Sequence, residues 1–258
     1  MPVGAGQVDV RQVHAVQVGT GGERLGPHAT TVPRPRGVTD RDPPASRGHG
    51  STGAPVRGVG GGWQHRDVRH SLVLTAPGVL LVPLADVHAP ALAALVDEPM
   101  WRGMSSPVPR TPDDVLDLIA AADADPGRYA FAVVEQSSGA VVGSTSLYDV
   151  TLTAARAEIG FTYYARRVWG TTVNPACKLA LFSQGFDDWG LARVALRADT
   201  ANSRSIGAIL RLGATAEGVL RSHRVRPDGS RGDTAYFSVL ADEWPAVRAG
   251  LEQRLGLA

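Results

Sequence analysis

The chain has 258 residues, with 26 Lys and Arg against 25 Asp and Glu, a formal net charge of +1 and 43% hydrophobic residues. This length suits one large domain or two small ones, and the apolar fraction excludes a chain that is disordered throughout. A net charge near zero gives no reason to expect nucleic acid as a partner. The single cysteine, Cys177, excludes an intramolecular disulfide and a zinc site made of several cysteines.

The sequence contains neither a membrane-spanning pattern nor a secretion signal. Its apolar stretches, such as Val79–Leu84, are much shorter than the about 20 residues that span a bilayer. The first 30 residues contain no apolar block of the kind that a secretory signal carries. We therefore expect a cytoplasmic protein without a membrane partner, present as a monomer or a homodimer.

Residues 1–74 differ in composition from the rest of the chain. Gly and Pro recur there, and no window keeps an apolar period of 3.6 or 2 residues. Such a segment cannot bury enough apolar surface to offset its ordering entropy, so we predict a disordered arm or an over-extended start of the reading frame. A basic tether for RNA or membrane is less favoured, because the arm has no run of Lys or Arg. The folded domain is predicted at residues 75–258.

In this second part, apolar periodicity, turn residues and capping residues predict a regular series of elements. The series begins with strand Val79–Leu84, a helix capped by Asp86, a Pro-rich loop Glu98–Arg110 and a helix that begins at Thr111. It continues with strands Tyr129–Glu135, Ala140–Val150 and Ala157–Tyr164, helix Asn174–Trp189, strand Ala192–Ala198, helix Asn202–Leu212, strands Glu217–Val225 and Asp233–Leu240, and helix Asp242–Leu255. A meander followed by βαβ crossovers predicts an α/β fold with a mixed, mostly antiparallel sheet and helices on both faces.

The stretch Glu158–Lys178 is the most informative for function. It is predicted as a strand, a short polar loop and the start of a helix. Backbone N–H groups at a helix N-terminus have no intrahelical partner, and together with the helix dipole they suit a phosphate group. Arg166 and Arg167 in the loop add positive charge. This pattern alone is weak, because every strand-to-helix junction has such N–H groups and most of them bind water.

Taken with two later segments, this stretch resembles the GCN5-related N-acetyltransferase (GNAT) superfamily, and within it the RimJ/RimL-like branch. The resemblance covers roughly Pro77–Glu252. It rests on Asn202-x-x-Ser205 in a helix that ends in Leu-Gly-Ala, on Glu217-Gly-Val-Leu-Arg, on Arg231-Gly-Asp-Thr-Ala-Tyr-Phe-Ser and on Asp242-Glu-Trp-Pro. It implies a GNAT fold and transfer of the acetyl group of acetyl-CoA, without a metal, to a primary amine such as a protein N-terminus or a small-molecule amine.

The resemblance also implies which residues hold the co-substrate. The strand Glu158–Tyr163 would splay from Val194–Arg197 and leave a V-shaped gap. The acetyl-CoA-binding residues would be Phe161, Thr162 and Tyr163 on the strand, Trp169, Gly170, Thr171, Thr172, Val173, Asn174 and Lys178 at the loop and helix, and Asn202 and Ser205 on the next helix. An N–H group of the strand would stabilise the oxyanion. Counted from the strand, Thr172 and Asn174 occupy the positions of the two glycines in the superfamily motif.

Direct attack on a thioester needs a deprotonated amine, a polarised carbonyl and a protonated leaving thiolate. Glu158 is the candidate base, acting through water, and the alternative is an edge-strand carboxylate paired with Arg156. Ser205 is the candidate donor to the sulfur, and the alternative is a hydroxyl bonded to the helix backbone. Relatives place a Tyr where this chain has Ile209. The candidate substitutes, Tyr163, Tyr164 and His223, are predicted instead as sheet residues.

Four further residues have two readings each. Lys178 is either a phosphate partner or a solvated helix residue, and Cys177 is a packed thiol rather than a nucleophile. Trp101 and Met104, in the loop before Arg110, would shape an acceptor pocket together with the hairpin tip at Pro227–Gly232, although core packing is the commoner use of such side chains. The alternative to an enzyme is a non-catalytic acyl-CoA-binding or sensor domain of the same fold.

Overall fold

The structure is a computed structural model that describes residues 69–101 and 103–257. The arm predicted for residues 1–74 lies outside the described residues up to residue 68 and stays a prediction. The described part forms an eight-stranded sheet with the strand order β1-β2-β3-β4-β5-β6-β8-β7. None of its helices is both long and apolar enough to cross a membrane.

The bounds of the elements are as follows. The strands are β1 (Leu74–Ala76), β2 (Val79–Pro83), β3 (Tyr129–Glu135), β4 (Val141–Thr151), β5 (Arg156–Tyr164), β6 (Arg193–Asp199), β7 (Thr215–Val225) and β8 (Arg231–Leu240). The helices are α1 (Ala89–Leu95), α2 (Glu98–Trp101), α3 (Pro112–Asp123), α4 (Val173–Ser183), α5 (Ser203–Leu210) and α6 (Trp244–Leu255). A π-helical turn at Gln184–Asp188 extends α4.

The sheet is mixed and mostly antiparallel, as predicted. Neighbouring strands pair antiparallel throughout the described sheet except β5 and β6, which are parallel. The parallel pair arises because α4 crosses over between the two strands. The α/β fold class predicted from the order of elements is therefore confirmed.

Helices cover the two faces of the sheet unequally. On β3, Phe131 packs into the core under α4 and α6, whereas its neighbours Ala130 and Ala132 pack under α1 and α3. We call the α4 side the back face and the α1 side the front face. Because side chains alternate along a strand, the front face of β5, β6 and β8 carries polar residues such as Glu158 and Arg197. That polar area lies beside the helices α1–α3.

Three local predictions were wrong. β1 was not predicted, because three residues are too few to show a period, and it begins one residue inside the predicted arm. Asp86 does not cap α1: residues Asp86–His88 form a 3-10 turn and α1 begins at Ala89. The loop Glu98–Arg110 contains the one-turn helix α2, which Asp97 caps by accepting from the backbone N–H of Met100 at 2.8 Å.

Candidate active site

The parallel strands β5 and β6 separate partway along their length. They pair over four residues, from Arg156 opposite Arg193 to Ile159 opposite Leu196. Beyond that point β5 continues to Tyr164 with no β6 partner, so the backbone groups that face the gap are left without ladder bonds. The V-shaped gap predicted from the resemblance is present, but it opens only after Ile159: Glu158 and Ile159, which were expected to splay from β6, still pair with Ala195 and Leu196.

A bulge in β5 explains why the strands part. On β4, Ser146 lies opposite Gly160 and Ser144 opposite Tyr163, so two residues of β5, Phe161 and Thr162, stand against one residue of β4. Phe161 has a φ of 51°, in the left-handed region that non-glycine residues rarely adopt. A bulge of this kind bends its strand and increases its twist, which carries β5 away from β6.

The two bulge residues point to opposite faces. The ring of Phe161 meets that of Tyr148 edge-on, with centroids 5.0 Å apart, on the front face. The hydroxyl of Thr162 lies 2.7 Å from that of Thr145 and donates to the Gly160 carbonyl at 3.2 Å. Phe161 and Thr162, which were predicted to bind the co-substrate, thus lie where the gap opens. Tyr163, which was also predicted to bind it, is the next residue of β5.

The loop before α4 presents unpaired backbone amides. The N–H groups of Gly170 and Thr172 have no acceptor within the described part of the chain. The hydroxyl of Thr171 accepts from the N–H of Val173 at 3.3 Å and donates to the Val168 carbonyl at 2.8 Å. A cavity of about 260 Å³ borders this loop. Free amides beside a cavity at a helix N-terminus suit an anionic ligand.

The arginines expected to add charge at this loop are already paired. Arg166 forms a bidentate ion pair with Asp97, and Arg167 lies 3.1 Å from a carboxylate oxygen of Glu135. Their charge is therefore largely compensated, and the anion site depends on backbone amides instead. Sequence reasoning had no means of finding these pairs, because each acid lies more than thirty residues away along the chain.

Trp169 connects the loop to α5. Its indole Nε1 donates to the Tyr164 carbonyl at 2.8 Å, and the guanidinium carbon of Arg204 lies 3.7 Å from its ring centroid. Arg204 is the second residue of α5. The stacked pair therefore joins the segment after β5 to the helix after β6, beyond the point where the two strands have parted.

Lys178 is buried, with 5% of its surface exposed. Its Nζ lies 3.5 Å from the Thr162 hydroxyl on the back of the bulge, and no carboxylate of the described chain pairs with it. Burial lowers the pKa of its ammonium group to about 8. The alternative of a solvated helix residue is therefore wrong, whereas its role as a phosphate partner stays a prediction. Asn174 is the second residue of α4.

Glu158 lies on the front face beside the gap. Its Oε2 accepts a hydrogen bond from the Tyr148 hydroxyl and lies 3.4 Å from Nε of Arg197. Oε1 has no partner among the described residues. The alternative for Glu158 was a carboxylate on an edge strand that pairs with Arg156. It is wrong on both counts, because β5 is an inner strand of the sheet and Arg156 pairs with Asp149.

Polar contacts continue from Glu158 across the front face. Arg197 donates to the Tyr236 hydroxyl at 3.0 Å. The ring of Tyr236 meets that of His223, whose Nδ1 lies 3.1 Å from the Thr234 hydroxyl. His223 is therefore a sheet-face residue, as expected. Sequence reasoning missed Tyr148, Arg197 and Tyr236. The signal that could have found them is the alternation of side chains along each predicted strand, which places them on the same face of the sheet as Glu158.

Of the two candidates for a tyrosine acid, Tyr163 is buried, and Tyr164 is half-buried with its hydroxyl sealed from solvent. Burial raises the pKa of Tyr163 and that of Tyr164, so each hydroxyl holds its proton more tightly than usual. Ile209 is 5% exposed and packs into the back-face core. Neither Tyr163 nor Tyr164 is therefore suited to donate a proton in place of a tyrosine at residue 209.

Asn202 and Ser205 lie at the start of α5, next to the end of β6. Oδ1 of Asn202 accepts from the backbone N–H of Ser205 at 3.0 Å, so Asn202 caps the helix. The Ser205 hydroxyl makes no hydrogen bond within the described part of the chain, and the backbone-bonded alternative is therefore absent there. This hydroxyl is free to meet a ligand.

The loop expected to bound the acceptor pocket contacts the β7–β8 hairpin, but at Arg224 and not at the predicted tip Pro227–Gly232. Arg224, on the β7–β8 hairpin, donates to the Gly103 carbonyl at 3.0 Å and to the Ser105 hydroxyl at 2.8 Å. Arg226 forms a bidentate pair with the buried Asp199 at 2.7 and 2.9 Å. A cavity of about 460 Å³ lies between these segments and the start of α5.

The apolar residues predicted for that pocket are mostly core residues. Trp101 is 1% exposed, and its ring meets that of Tyr163 at 5.0 Å between centroids. Its Nε1 donates to the Ser106 carbonyl at 2.9 Å. Met104 packs at the edge of the same front-face core. Trp101 therefore packs against Tyr163, and a substrate role for either Trp101 or Met104 stays a prediction.

Cys177 is a packed thiol. It is fully buried, and burial raises the pKa of its thiol to about 11. A thiol with that pKa is almost entirely protonated at neutral pH and is a poor nucleophile. Among the described residues, no group of three or more His, Cys, Asp or Glu side chains could hold a metal ion.

The chain matches a known protein family and a curated relative. Residues 79–215 match the Acetyltransferase (GNAT) domain family, and the chain belongs to that family. The chain is 30% identical over 106 residues to the Bacillus subtilis (strain 168) protein named "Putative ribosomal N-acetyltransferase YdaF". That alignment covers 41% of this chain and 57% of the relative, so a little over half of the relative's length is matched.

Solved structures share the fold. A protein from T. thermophilus named "putative acetyltransferase" is 34% identical with a TM-score of 0.66, and the match covers 71% of this chain and 96% of that one. Mycobacterium smegmatis RimJ in complex with CoA-disulfide is 19% identical with a TM-score of 0.61, over 71% of this chain and 93% of that one. The GNAT assignment predicted from the sequence is confirmed, and M. smegmatis RimJ shares the fold.

Proposed function

We propose that this protein moves the acetyl group of acetyl-CoA to a primary amine, by direct attack in a ternary complex. The acceptor is a protein N-terminus or a small-molecule amine. The observation that carries the proposal is the β5–β6 gap, which opens after Ile159 and leaves the inner edge of β5 without ladder partners. Membership of the acetyltransferase family and the bulge that carries β5 away from β6 both support it.

The described residues fit acetyl-CoA. The pantetheine arm carries two amide groups, and the unpaired backbone of Phe161–Tyr163 offers it a strand edge to bond. The pyrophosphate would meet the free amides of Gly170 and Thr172. Trp169, Thr171, Val173, Asn174, Lys178 and Asn202 are proposed to complete the co-substrate site.

The chemistry assigned to this chain needs three groups. As the amine nitrogen bonds to the thioester carbon, the C–S bond breaks and the CoA thiolate leaves. Glu158, through Oε1 and a water molecule, would take the proton that the amine loses. A backbone N–H of the bulge would stabilise the negative charge on the carbonyl oxygen, and the Ser205 hydroxyl would donate to the departing sulfur.

A covalent acetyl-enzyme is not part of the proposal. The one thiol, Cys177, is buried and has a raised pKa, so it is neither reachable nor ionised at neutral pH. Direct transfer needs only that acetyl-CoA and amine be bound together on the two sides of the gap. We place the reaction in the cytoplasm, as the sequence led us to expect.

The second candidate is a domain that binds acyl-CoA without catalysis. Two observations favour it: Ile209 fills the position of the usual tyrosine, and the loop residues Thr172 and Asn174 replace the two motif glycines. Both functions require the same gap. They differ only in whether an amine is acetylated.

Two measurements on the full chain separate these outcomes. Acetyl-CoA at about a hundred times its dissociation constant should stabilise the folded state by about 2.7 kcal/mol and raise the melting temperature. Thiol release with a broad panel of amines then tests transfer. Stabilisation with turnover supports the enzyme, stabilisation without turnover on any amine supports the binding domain, and no stabilisation contradicts both.

A further inference from the structure

Arg128 is a cation of the front face that forms no ion pair with a described acid. It lies just before β3, and its guanidinium carbon is 3.6 Å from the centroid of the Phe161 ring. Its Nε donates to the Ser146 hydroxyl at 3.2 Å. The terminal nitrogens Nη1 and Nη2 donate to no acceptor of the described chain, and they are not sealed from solvent. The planar end of the side chain is therefore open to a ligand.

Three other arginines of the front face do form ion pairs. Arg193, Arg197 and Arg226 lie on the same face, and they pair with Glu217, Glu158 and Asp199 respectively. Arg128 forms no such pair although it is half-buried, and desolvation lowers its pKa to about 10. A desolvated guanidinium without an anion in contact is costly to the folded state. An anion that binds there would recover part of that cost.

A continuous set of contacts joins Arg128 to the proposed base. Arg128 stacks on Phe161, Phe161 meets Tyr148 edge-on, and the Tyr148 hydroxyl donates to Glu158. All four side chains lie on the front face at the bulge. An acceptor whose amine lies near Glu158 can therefore extend over Phe161 and bring a second group to Arg128.

We propose that Arg128 binds a carboxylate of the acceptor, so that the preferred substrates are amines that carry a carboxylate within a few bonds of the nitrogen. This inference rests on the proposed acetyl transfer. The planar fork of arginine matches a carboxylate with two parallel hydrogen bonds, which a neutral amide cannot reproduce. The carboxylate has two sources, the α-carboxylate of a free amino acid or an acidic first side chain of a peptide.

The test uses acceptors that differ only in this charge. Free amino acids are compared with their primary amides, and peptides that begin with Asp with peptides that begin with Asn. For the wild type we expect kcat/KM to be about tenfold or more higher for the charged member of one pair. The pair that shows the preference identifies the source of the carboxylate.

Variants of Arg128 test whether its side chain causes the preference for charged acceptors. Arg128→Met should remove it by lowering kcat/KM about tenfold for charged acceptors, with neutral acceptors changed by no more than about twofold. Arg128→Lys keeps the charge without the fork and should give an intermediate preference. Arg156→Gln, which removes another front-face arginine but one paired with Asp149, should leave the preference unchanged. An equal loss for charged and neutral acceptors would overturn the proposal.

A binding measurement keeps this test separate from the proposed function. In the presence of CoA, the N-acetylated form of each charged acceptor and that of its neutral counterpart mimic the products and require no turnover. Calorimetry should show that Arg128→Met weakens binding of the carboxylate form alone. If no acceptor is turned over but this difference is found, acetyl transfer fails and the anion site stands. If both forms bind wild type and variant equally, the anion site is refuted.

Discussion

The ring of Tyr148 lies directly on Gly160. A Cβ atom added at residue 160 would be 2.6 Å from Cε1 of that ring, closer than real side chains approach. The ring is held in place because its hydroxyl donates to Glu158. Because residue 160 is a glycine, the Tyr148 ring can lie flat against β5 while its hydroxyl contacts Glu158, the proposed base.

Gly160→Ala should disturb this arrangement. Moving the Tyr148 ring should cost about 1–3 kcal/mol of unfolding free energy, in the range of other overpacked sites, and lower kcat. Denaturant unfolding measures the first effect and thiol release the second. In a Tyr148→Ala background the same change should cost much less, because the clashing ring is gone.

A matched control is Gly250→Ala in α6. A Cβ at that position meets nothing within 4 Å, so the change should be neutral or stabilising. If Gly160→Ala were equally harmless, the Tyr148 ring would not restrict the side chain at residue 160.

Glu158→Gln tests the proposed base. Glutamine still accepts from the Tyr148 hydroxyl but cannot take a proton, so kcat should fall by about 10²-fold or more with little change in the KM for acetyl-CoA. Tyr148→Phe, which keeps the carboxylate and removes one hydrogen bond, should have a smaller effect. Steady-state kinetics that found Glu158→Gln fully active would assign proton removal to another group.

Lys178→Met tests the buried ammonium group. Its pKa falls from 10.5 in the unfolded chain to about 8 in the fold, so the folded protein carries the full penalty below about pH 8 and loses it as pH rises toward 10.5. The variant should therefore be more stable than wild type at neutral pH, by up to about 3 kcal/mol. The difference should shrink at alkaline pH.

Urea unfolding of both proteins across this pH range measures that difference. A variant less stable than wild type at neutral pH would mean that the contact with Thr162 outweighs desolvation. Lys178→Met also tests the predicted phosphate contact. If Lys178 binds a phosphate of acetyl-CoA, its removal should raise the dissociation constant of acetyl-CoA.

Trp101→Ala should act on stability. Truncating an indole that is 1% exposed should cost about 3–5 kcal/mol. The milder Trp101→Phe should lower the melting temperature and leave the KM for the acceptor unchanged, as expected for packing behind Tyr163. A higher acceptor KM at unchanged melting temperature would instead restore Trp101 as a substrate residue.

Much of the fold could be predicted because its signals are local. The start of α3 is an example: Thr111 accepts from the N–H of Asp114 at 3.2 Å, and the Asp114 carboxylate accepts from the N–H of Thr111 at 2.8 Å. A capping box lies within four residues and is visible in any sequence. The residues around the gap were likewise predicted from short segments, such as Asn202-x-x-Ser205, on which the resemblance to the GNAT superfamily rests.

The missing parts of the site depend on contacts between distant residues. Phe161 adopts a left-handed conformation that its residue type does not suggest, because the bulge against β4 imposes it. The burial of Lys178 follows from where Thr162 points, and the open guanidinium of Arg128 follows from where its stacking on Phe161 holds it. None of these has a signature along the chain.

Hydrogen–deuterium exchange on the full chain, with and without saturating acetyl-CoA, tests the central claim most directly. A co-substrate that bonds the open edge of β5 should slow exchange of backbone amides in Phe161–Tyr164 and at Gly170 and Thr172. Amides of the β7–β8 hairpin serve as an internal reference. Protection concentrated in those two segments is the result predicted, and acetyl-CoA bound at saturation without any protection there would contradict the assignment of the gap as its site.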